Sequence, residues 1–503
     1  MAKKLKKARA DAPKPKVAGT SNTLVKAQYD AAGHGRRLRG WSAPQTGPNR
    51  ATQGAATLRA RSRDAGRNEW AADSAVTQWA VNLVGTGIQP RPRTRDAARK
   101  QALLALWLRW CGEADADGVY DFYGLQNLVA RNWIEAGELF VRLRWRRPED
   151  GLAVPLQLQL LESEMVPDQD GLARNGNPIR RGIEFDAIGR RVAYHALRHH
   201  PGDGVGDAST TVRIPADQIL HIYEPTRPGQ LRGVSDFAPI LAKLRGVGNF
   251  DDAVLHRQEL ANLFTAFIKK TGMAGIPHDP SLDPVSGLPV QLDASGVPLA
   301  AMEPGMTQEL LEGEDIVFSN PPGPGAEYDQ YMRVQGMQIA AGSHLPYELL
   351  TGDLRDVSDR TLRVLIQGFR RHCEQRQWLV LIPQLCEPVR RAWATAAMLA
   401  DALPLDMRDD ALDTLWVPQG WDYIHPLQDV QADALAVEKG LRTRSSVITR
   451  RGDDPEALDE EAAADREREQ RLGLNFAAPA PAPANQAPEE TEPEIHPQDR
   501  AAP

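Results

Sequence analysis

The sequence predicts an α+β fold with helices first, then a mostly antiparallel sheet, then long helices. Three changes in the pattern of apolar residues carry this prediction. From residue 57 to about residue 136, apolar residues recur every three or four positions, which is the period of an amphipathic helix. From residue 138 the period falls to two, which is typical of a strand with one buried face. Beyond residue 235, long apolar runs at helical spacing return.

The composition is that of a large globular chain. Its 503 residues are 42% hydrophobic and 25% charged, which is enough for a sizeable core in several domains. The three cysteines, Cys111, Cys373 and Cys386, form no Cys-x-x-Cys pair, so neither a disulfide framework nor a zinc site is predicted. No apolar run reaches the roughly 18 residues of a membrane helix, so no membrane contact is predicted.

The two ends of the chain differ in charge, although the net charge is only −7. The beginning, "MAKKLKKARADAPKPK", is basic, and the composition of residues 1–56 predicts a largely disordered arm. Residues 453–469 are acidic, and residues 471–503 predict a disordered, Pro/Ala-rich tail. The basic arm is either solvated or a contact for nucleic acid, and its charge is compatible with both.

Three helices are predicted in the first third of the chain. The first begins at about residue 57, carries apolar positions from Leu58 to Leu83, and ends at Gly85. The second covers the apolar positions 103–110, and the third covers the positions 125–134.

Strands follow these helices. The segment "ELFVRLRWRR" alternates apolar with charged residues and predicts a half-buried strand. Further strands are predicted in three segments that begin at residues 156, 180 and 211, with turns at Asn175-Gly176 and Ile188-Gly189.

The stretch "YEPTRPGQLRGVSDFAPILAKLRG" breaks the strand pattern and starts a long helix. Ser235 or Asp236 is suited to cap this helix, which we expect to run to about Lys270, a length of roughly 50 Å. Residues 271–325 predict loops and short strands, and a second long helix is predicted from Glu327 to His344.

A loop around Gly352 follows the second long helix. Ser358 is suited to cap the next helix, in which Pro383 and Pro388 predict kinks because each removes a backbone donor. A last globular piece is predicted from about residue 403 to residue 450.

Motifs for catalysis are scarce, and no catalytic residue, metal ligand or cofactor is predicted. His195, His199 and His200 lie close in sequence, but no carboxylate or cysteine completes a metal-binding spacing, and a solvated turn is the simpler interpretation. The segment "EADADGVYDF" resembles part of a calcium loop, but the twelfth position from Glu113 is Gly124 rather than glutamate.

The segment "GDLRDVSDR" collects Asp353, Asp356 and Asp359. These carboxylates suit either a metal-dependent nuclease or other hydrolase, or a solvated loop with a helix cap. A third possibility is a monomeric DNA-binding scaffold that uses the basic arm.

Four separated segments resemble lambda-type phage portal proteins, in the same order. They are "RARSRDAGRNEWAADSAVTQWAVNLVGTGIQPRPR" (59–93), "DFYGLQNLVARNWIEAGELFVRLR" (121–144), "ILHIYEPTRPGQLRGVSDFAPIL" (219–241) and "MQIAAGSHLPYELLTGDLRDVSDRTLRVLIQGFRR" (337–371). The likeness extends over about residues 25–455. It implies the portal fold, assembled into a ring, typically of twelve subunits, at one vertex of a capsid.

The resemblance also implies a division of the chain. The expected parts are a wing (57–234), a first stem helix (235–270), a clip (271–325), a second stem helix (326–345), a tunnel loop (346–357), a tunnel helix (358–402) and a crown (403–470).

The tunnel loop is expected to face DNA in the channel. Its carboxylates would repel phosphate around the ring, while Arg355 would make transient contacts, because many cation–phosphate contacts would hold DNA in place. The residues predicted to face the channel are Leu350, Thr351, Gly352, Asp353, Leu354, Arg355 and Asp356. Possible phosphate neighbours on the first stem helix are Lys243, Arg245, Lys269 and Lys270.

The partners that the resemblance implies are other copies of this chain, double-stranded DNA, the terminase large subunit, the major capsid protein and head-tail connector proteins. The expected locations are the portal vertex of the virion and, during assembly, the host cytoplasm. ATP hydrolysis would belong to the terminase, since this chain carries no nucleotide-binding motif and is not expected to be an enzyme.

Overall fold

The computed structural model describes residues 46–204, 210–263, 266–270, 314–318, 327–355, 357–421 and 423–474. Most of the predicted arm, most of the predicted clip, Asp356 and nearly all of the predicted tail lie outside the described residues.

The helices of the described residues, in chain order, are α1 (Pro48–Ala51), α2 (Ala55–Asn68), α3 (Trp70–Val84), α4 (Ala97–Cys111), α5 (Phe122–Ala136), α6 (Leu241–Leu263), α7 (Tyr328–Gly342), α8 (Tyr347–Thr351), α9 (Asp359–Arg376), α10 (Glu387–Leu399), α11 (Arg408–Leu412), α12 (Pro426–Glu438), α13 (Arg444–Arg450) and α14 (Pro455–Leu472). A π-helical segment, Gln377–Cys386, joins α9 to α10.

The strands are β1 (Gln89–Pro92), β2 (Glu138–Trp145), β3 (Leu156–Leu161), β4 (Gly171–Leu172), β5 (Pro178–Arg180), β6 (Ile183–Phe185), β7 (Arg191–Leu197), β8 (Thr211–Pro215), β9 (Ile219–Tyr223), β10 (Ala266–Lys270), β11 (Glu314–Phe318) and β12 (Thr414–Val417). β2 lies between β3 and β9, β4 to β8 form a meander, and β1 pairs with β12 and β10 with β11. All these pairings are antiparallel, so the predicted α+β class is confirmed.

Two predictions about the first helices need correction. The single helix expected from residue 57 is two helices, α2 and α3, because Glu69 between them has an extended backbone. The arm expected to be disordered to residue 56 is folded from Thr46 onward within the described part. There, Arg181 donates a hydrogen bond from Nη2 to the Thr52 carbonyl (3.2 Å), and Ala55 is buried.

Tryptophan side chains fill the centre of the helical core. Trp107 and Trp110 of α4 contact each other with ring centroids 4.8 Å apart, and Trp107 meets Trp393 of α10 at 5.2 Å. Tilted and edge-to-face pairs of this kind add about 0.5–1.5 kcal/mol each to the burial of apolar area. The late helix α10 is therefore built into the same core as the early helix α4.

This core continues past the boundary predicted between tunnel helix and crown. Leu403, Met407 and Ala411 are buried in it, and Trp416 of β12 lies 6.4 Å from Trp107. β12 also pairs with β1, with Gln89 opposite Val417. A break at residue 403 is therefore wrong for the described chain, because residues 403–417 bury their apolar side chains against the first third of the sequence.

β2 is the central strand of its sheet. The sequence predicts one buried face, but the side chains from Glu138 to Val141 are all buried. Both faces are covered because Val141 packs in the main helical core, whereas Phe140 packs in a second core beneath β6 to β9.

The first residue of β2, Glu138, is a fully buried carboxylate with five charged or polar partners. One of them is the Ser163 hydroxyl, which donates to Oε1. Its Oε1 lies 2.7 Å from Arg232 Nη2 and 3.0 Å from Arg59 Nη2. Its Oε2 accepts hydrogen bonds from His221 Nε2 (2.9 Å) and from the backbone N–H of Gly233 (2.8 Å). Burial alone would raise the pKa of Glu138, but Arg232 and His221 outweigh it and hold this pKa well below its ordinary value.

His221 is neutral in this network. Its Nδ1 lies 3.3 Å from Arg191 Nη1, and because arginine can only donate, Nδ1 must accept. The ring proton therefore sits on Nε2 and is donated to Glu138. Burial lowers the pKa of His221 to about 4, and the ring is stacked between Phe140 (4.3 Å) and Tyr223 (4.2 Å).

Stability should therefore fall as the pH drops from about 6.5 to about 4. An unfolded chain protonates His221 near pH 6.5, whereas the folded chain does so only near pH 4, so the unfolded state binds more protons in this window. The free energy of unfolding should decrease by up to about 1.4 kcal/mol per pH unit. Below about pH 4.5 the depressed pKa of Glu138 adds to the loss. Chemical unfolding curves at a series of pH values measure this dependence.

The control for this prediction is His221→Gln, which keeps a neutral donor beside Glu138 but cannot titrate. The variant should show a flatter dependence between pH 6.5 and pH 4.5 than the parent protein. Equal slopes in the two proteins would contradict the assignment of the titration to His221.

Two glycines allow the end of α5 to touch the chain that leads into α6. Gly137 ends α5 with φ of +87°, a conformation that favours glycine. A Cβ there would lie 2.2 Å from the backbone carbon of Val234, and a Cβ on Gly233 would lie 2.0 Å from the Gly137 carbonyl oxygen. This contact fixes where the long helix α6 departs from the sheet.

Candidate functional site

The two predicted stem helices, α6 and α7, lie side by side and antiparallel. A Cβ on Gly342, at the end of α7, would meet Ile240 just before α6 at 2.2 Å. Farther along, Phe250 of α6 contacts Tyr331 of α7, with ring centroids 4.9 Å apart. Tyr328, at the start of α7, donates a hydrogen bond to Asp251 of α6. As the α6 numbers rise the α7 numbers fall, so the chain leaves along one helix and returns along the other.

The strands β10 and β11 continue this pair. Ala266 pairs with Phe318, and Lys270 pairs with Glu314. The helix predicted to reach Lys270 is therefore too long, and Lys269 and Lys270 lie on a strand instead of on the first stem helix. The segment "AFIKK" has β-branched and aromatic character and finds a partner strand across the intervening excursion.

The start of α6 also differs from the prediction. The helix begins at Leu241, and Ser235 does not cap it; its Oγ instead accepts a hydrogen bond from the Phe237 N–H (3.1 Å). The two cations predicted on this helix are placed differently from each other. Lys243 is half-buried, whereas Arg245 is exposed and its guanidinium lies 3.9 Å from the Glu69 carboxylate.

The predicted tunnel loop contains one helical turn, α8, and then reverses at Gly352, which has φ of +71°. Leu350 is 2% exposed, and its carbonyl accepts a hydrogen bond from Ser74 of α3 (2.7 Å). A channel-facing Leu350 is therefore a wrong prediction in this protomer, because its side chain is part of the main core. Leu354 is 60% exposed and forms the apolar tip of the loop.

Asp353 and Arg355 form a closed pair within the loop. Arg355 donates from Nε and Nη2 to the two carboxylate oxygens of Asp353, both at 2.9 Å, and its backbone N–H donates to the same carboxylate (3.1 Å). The hydrogen bond from the Arg355 side chain holds the pKa of Asp353 well below its ordinary range. Thr351 closes the preceding turn by accepting from the Asp353 N–H (3.2 Å).

This pair is tied to α7. Arg355 Nη2 also lies 3.2 Å from Asp329, and Arg333 Nη2 donates to the Arg355 carbonyl oxygen (2.9 Å). Arg333 Nε lies 3.8 Å from Asp353 as well. Arg355 and Asp353 of the loop and Arg333 and Asp329 of α7 therefore form a group of two arginines and two carboxylates, which attaches the loop to this helix.

The nuclease interpretation of this loop finds no support. Asp353 is held by Arg355, and Asp359 at the start of α9 is paired with Arg363 (3.1 Å) and with His425 (2.9 Å). Arginine cannot be displaced by losing its proton near neutral pH, so these carboxylates are committed to cations that the chain itself supplies. The alternative functions weighed from the sequence are not supported.

The histidine segment is an ion-pair cluster. His200 Nε2 lies 3.0 Å from Glu162, and ligand atoms of Glu162, Glu164 and His200 lie within 4.8 Å of one another. Arg63 of α2, however, is 2.6 Å from Glu162 and 3.2 Å from Glu164. The guanidinium occupies the position between the carboxylates, and His199 is exposed.

The partial calcium loop has a structural explanation. Asp115 is buried, and its carboxylate accepts hydrogen bonds from the backbone N–H groups of Asp117 (3.0 Å), Val119 (2.9 Å) and Tyr120 (3.0 Å). The carboxylate therefore stabilises its own turn.

α9 is attached to the body of the protein by one narrow stripe. Phe369 packs edge to face on Trp79 of α3 (5.0 Å). Arg376 lies over the rings of Trp79 (4.4 Å) and Trp133 (5.3 Å) and pairs with Asp236 (2.7 Å). The remaining faces of α9 carry exposed residues, among them the apolar Val364.

The helix runs through Pro383 without a break. Pro383, which has no backbone N–H to donate, lies inside the π-helical segment. Pro388 lies in the first turn of α10, where proline is tolerated. The kink predicted at Pro388 is therefore replaced by the start of the next helix, while Pro383 causes a local change of helix type.

The buried network around Glu138 was not found from the sequence. Arg232 lies in the break before α6, and Glu138 lies 94 residues earlier, so no local pattern joins them. The sequence did contain one signal for this contact. Glu138 and Arg232 each lie beside a glycine, Gly137 and Gly233, in two different portal-like segments.

Among the described residues, none of the helices combines the length and apolar character that a membrane crossing requires.

Comparison with known proteins gives a family match over most of this region. The model of the family described as phage portal protein, lambda family, matches residues 34–377. The chain is 26% identical over 437 residues to a probable portal protein of Halomonas phage phiHAP-1, covering 83% of this chain and 81% of that protein. It is 21% identical over 477 residues to portal protein B of Escherichia phage lambda, covering 84% and 86%.

Two solved structures match this chain at low similarity. One is the neck of a native gene transfer agent particle computed with C12 symmetry, with a TM-score of 0.44, 15% identity, and coverage of 87% of this chain and 97% of that chain. Another is an HK97 family phage portal protein from Corynebacterium diphtheriae, with a TM-score of 0.28, 10% identity, and coverage of 66% and 94%.

Proposed function

The chain belongs to the lambda family of phage portal proteins, and we propose that its copies close head to tail into a ring of about twelve subunits around a DNA channel. The family predicted from four sequence segments is thereby confirmed, and the chain is a phage portal protein. The observation that carries the proposal is the family match across residues 34–377.

Exposed apolar side chains support the ring. Tyr331, Val334 and Met337 recur every three residues on α7 and are each more than 40% exposed. Val364 and Leu365 of α9 are also exposed. Such side chains on two neighbouring helices are expected to be covered when another copy of the chain packs against them, because burial of apolar area is the main driving force of association.

The expected parts of the portal are proposed with boundaries adjusted to the described fold. The two antiparallel helices α6 and α7 form the stem wall, and residues 271–325 form the clip. Residues 346–357 form the tunnel loop, α9 with its continuation α10 forms the tunnel helix, and the crown begins after residue 417.

The tunnel loop is suited to let DNA slide. Arg355 and Arg333 are balanced by Asp353 and Asp329, so a ring of these loops would present little net charge to phosphate. A channel surface of this kind avoids the many cation–phosphate contacts that make binding strong and steeply salt-dependent. Leu354 would be the side chain nearest the DNA. Lys243 and Arg245 are proposed as more distant phosphate neighbours.

Further partners follow from the portal role. The clip would dock the terminase large subunit during packaging and head-tail connector proteins afterwards, and the wing would contact the major capsid protein. The protein would be located at the portal vertex of the virion after assembly in the host cytoplasm. As a structural component, it would need no cofactor and catalyse no reaction.

Negative-stain electron microscopy of the purified full chain tests the ring directly. End-on views should show particles with a central hole and about twelvefold symmetry. The variant Val334→Lys places a charge on the exposed face of α7 and should reduce the fraction of ring particles. The matched control is Val119→Lys, which puts the same charge at a 71% exposed valine in the loop before α5.

Either of two results would count against the proposal. Particles that remain monomeric at every protein and salt concentration would contradict ring assembly. Rings that form equally well with Val334→Lys would remove α7 from the subunit interface.

A further inference from the structure

A cleft of about 430 Å³ separates α9 from the last helices of the described chain. One wall is the stripe of α9 that faces away from the core, and the other wall is formed by α12, α13 and the segment around Trp421 and Tyr423. None of the functional assignments above uses this cleft.

The lining is strongly basic. Six arginines line the cleft with three carboxylates, so positive charges exceed negative ones by three. The arginines are Arg363, Arg370, Arg371, Arg442, Arg450 and Arg451. This excess is local, because the whole chain carries a net charge of −7.

The guanidinium groups of two of the arginines lie over aromatic rings. The Arg370 guanidinium lies 5.0 Å from the Trp421 ring centroid, and the Arg451 guanidinium lies 4.8 Å from that of Tyr423. A cation–π contact of this kind restrains the guanidinium before a ligand arrives, which reduces the entropy lost when an anion binds.

Two more arginines carry charge that the described residues do not neutralise. Arg371 and Arg450 are exposed and form no ion pair with another described residue. By contrast, Arg442 is paired with Asp433 (3.1 Å), which also accepts a hydrogen bond from Tyr423 (2.8 Å). Arg363 is likewise paired with Asp359 outside the lining (3.1 Å). The positive charge left for a ligand is therefore carried mainly by Arg371 and Arg450.

We propose that this cleft binds the backbone phosphates of duplex DNA. Guanidinium groups match phosphate oxygens with paired hydrogen bonds, and the lining contains arginine but no lysine. The volume suits one or two phosphate groups, so a duplex would lie across the mouth of the cleft. The inference rests on the proposed DNA channel, and it adds a second DNA contact apart from the tunnel loop.

Other anions fit the lining less well. An extended acidic peptide needs main-chain partners, but the walls are largely helices whose backbone groups are already bonded. Single-stranded DNA needs open aromatic faces for its bases, but Arg370 and Arg451 cover the rings here. The phosphates of a duplex need only cations at fixed positions, and the arginines of the cleft meet this requirement.

The test is the binding of a fluorescent duplex of about 30 base pairs to the full chain, measured by anisotropy over a range of salt concentrations. The double variant Arg371→Gln/Arg450→Gln should bind the duplex about tenfold more weakly at low salt, and the salt slope should fall by about two. The control, Arg109→Gln/Arg174→Gln, removes the same charge from two exposed arginines far along the chain from the cleft, and should behave as the parent protein.

Three outcomes would overturn the proposal. The first is equal binding by the double variant and the control. The second is equal weakening of both, which would indicate general charge attraction. The third is the absence of duplex binding at low salt, both in the full chain and after deletion of residues 475–503. Ring formation by the double variant, seen by electron microscopy, separates these results from a failure of the portal assembly itself.

Discussion

Replacing Arg232 with methionine is expected to lower the free energy of unfolding by about 3–5 kcal/mol, because it leaves a buried carboxylate without its main counter-charge. Arg232 is 1% exposed and bonds Glu138 through Nε and Nη2. Its Nη1 also donates to the carbonyl oxygens of Val166 and Arg181, both at 3.0 Å. Methionine has a similar length but cannot donate, so Glu138 and both carbonyls lose partners at once.

The matched control is Arg390→Met. Arg390 is 2% exposed and lies between the rings of Trp107 (4.7 Å) and Trp393 (4.2 Å). Among the described residues it has no carboxylate partner, and its Nη1 and Nη2 have no hydrogen-bond acceptor. Burial lowers the pKa of this guanidinium to about 9, so the folded protein already tolerates a costly charge. Replacement by an apolar side chain of similar volume should change stability by less than about 2 kcal/mol in either direction.

Chemical unfolding of the two variants beside the parent protein measures this contrast. The loss for Arg232→Met should clearly exceed that for Arg390→Met, although the two arginines are buried to the same extent. Equal losses would show that the size of the buried side chain, and not the pairing with Glu138, decides stability at these positions.

The elements that the sequence predicts correctly are those set by local rules. The helices α4 and α5 begin at Asp96 and Asp121, whose side chains accept hydrogen bonds from backbone N–H groups in the first turn. Gly85 and Gly137 end α3 and α5 with positive φ. Strong periodicity between such signals is enough to place a helix, and the same holds for the strands on either side of the Gly189 turn.

The errors occur where a distant partner decides the structure. Leu350 lies between Pro346 and Gly352, which locally indicate a loop, but its carbonyl is held by Ser74 and its side chain is buried in the core. Lys269 and Lys270 continue a helical pattern, yet β11, more than 40 residues later, draws them into a strand. Hydrophobic period alone cannot separate these outcomes for short segments.

Two of the portal-like segments contribute residues to a single contact in the structure. The segment that ends α5 contributes Gly137 and Glu138, and the segment that enters α6 contributes Arg232 and Gly233. These four residues meet at one point, where a buried ion pair and a close backbone contact join the end of α5 and the start of β2 to the segment that leads into α6. The described residues of the predicted tunnel loop contain no such fully buried pair, since Arg355, whose side chain is 60% exposed, pairs with Asp353 and with Asp329 of α7.

Replacing Gly137 with alanine is expected to lower the free energy of unfolding strongly, because the added methyl group meets backbone atoms at a position with positive φ. The φ of +87° disfavours a side chain by about 1–2 kcal/mol. The new Cβ would also lie 2.2 Å from the backbone carbon of Val234 and 2.4 Å from the backbone nitrogen of Ser235. Backbone cannot rotate away as a flexible side chain can, so the combined cost should exceed about 4 kcal/mol.

The control variant, Gly118→Ala, separates the cost of backbone strain from the cost of a steric clash. Gly118 also has positive φ, +71°, but a Cβ there would meet nothing within 4 Å. Its substitution should cost only the conformational strain, about 1–2 kcal/mol. Thermal unfolding midpoints, together with the yield of soluble protein, distinguish the two variants, and similar midpoints would show that the contact between Gly137 and Val234 relaxes easily.

If Gly137→Ala folds but shifts the chain at Val234, the start of α6 moves with it. If α6 forms part of the proposed ring wall, ring formation should then fail even in the folded fraction, because a helix that leaves the sheet at another angle cannot meet its neighbours around a closed ring.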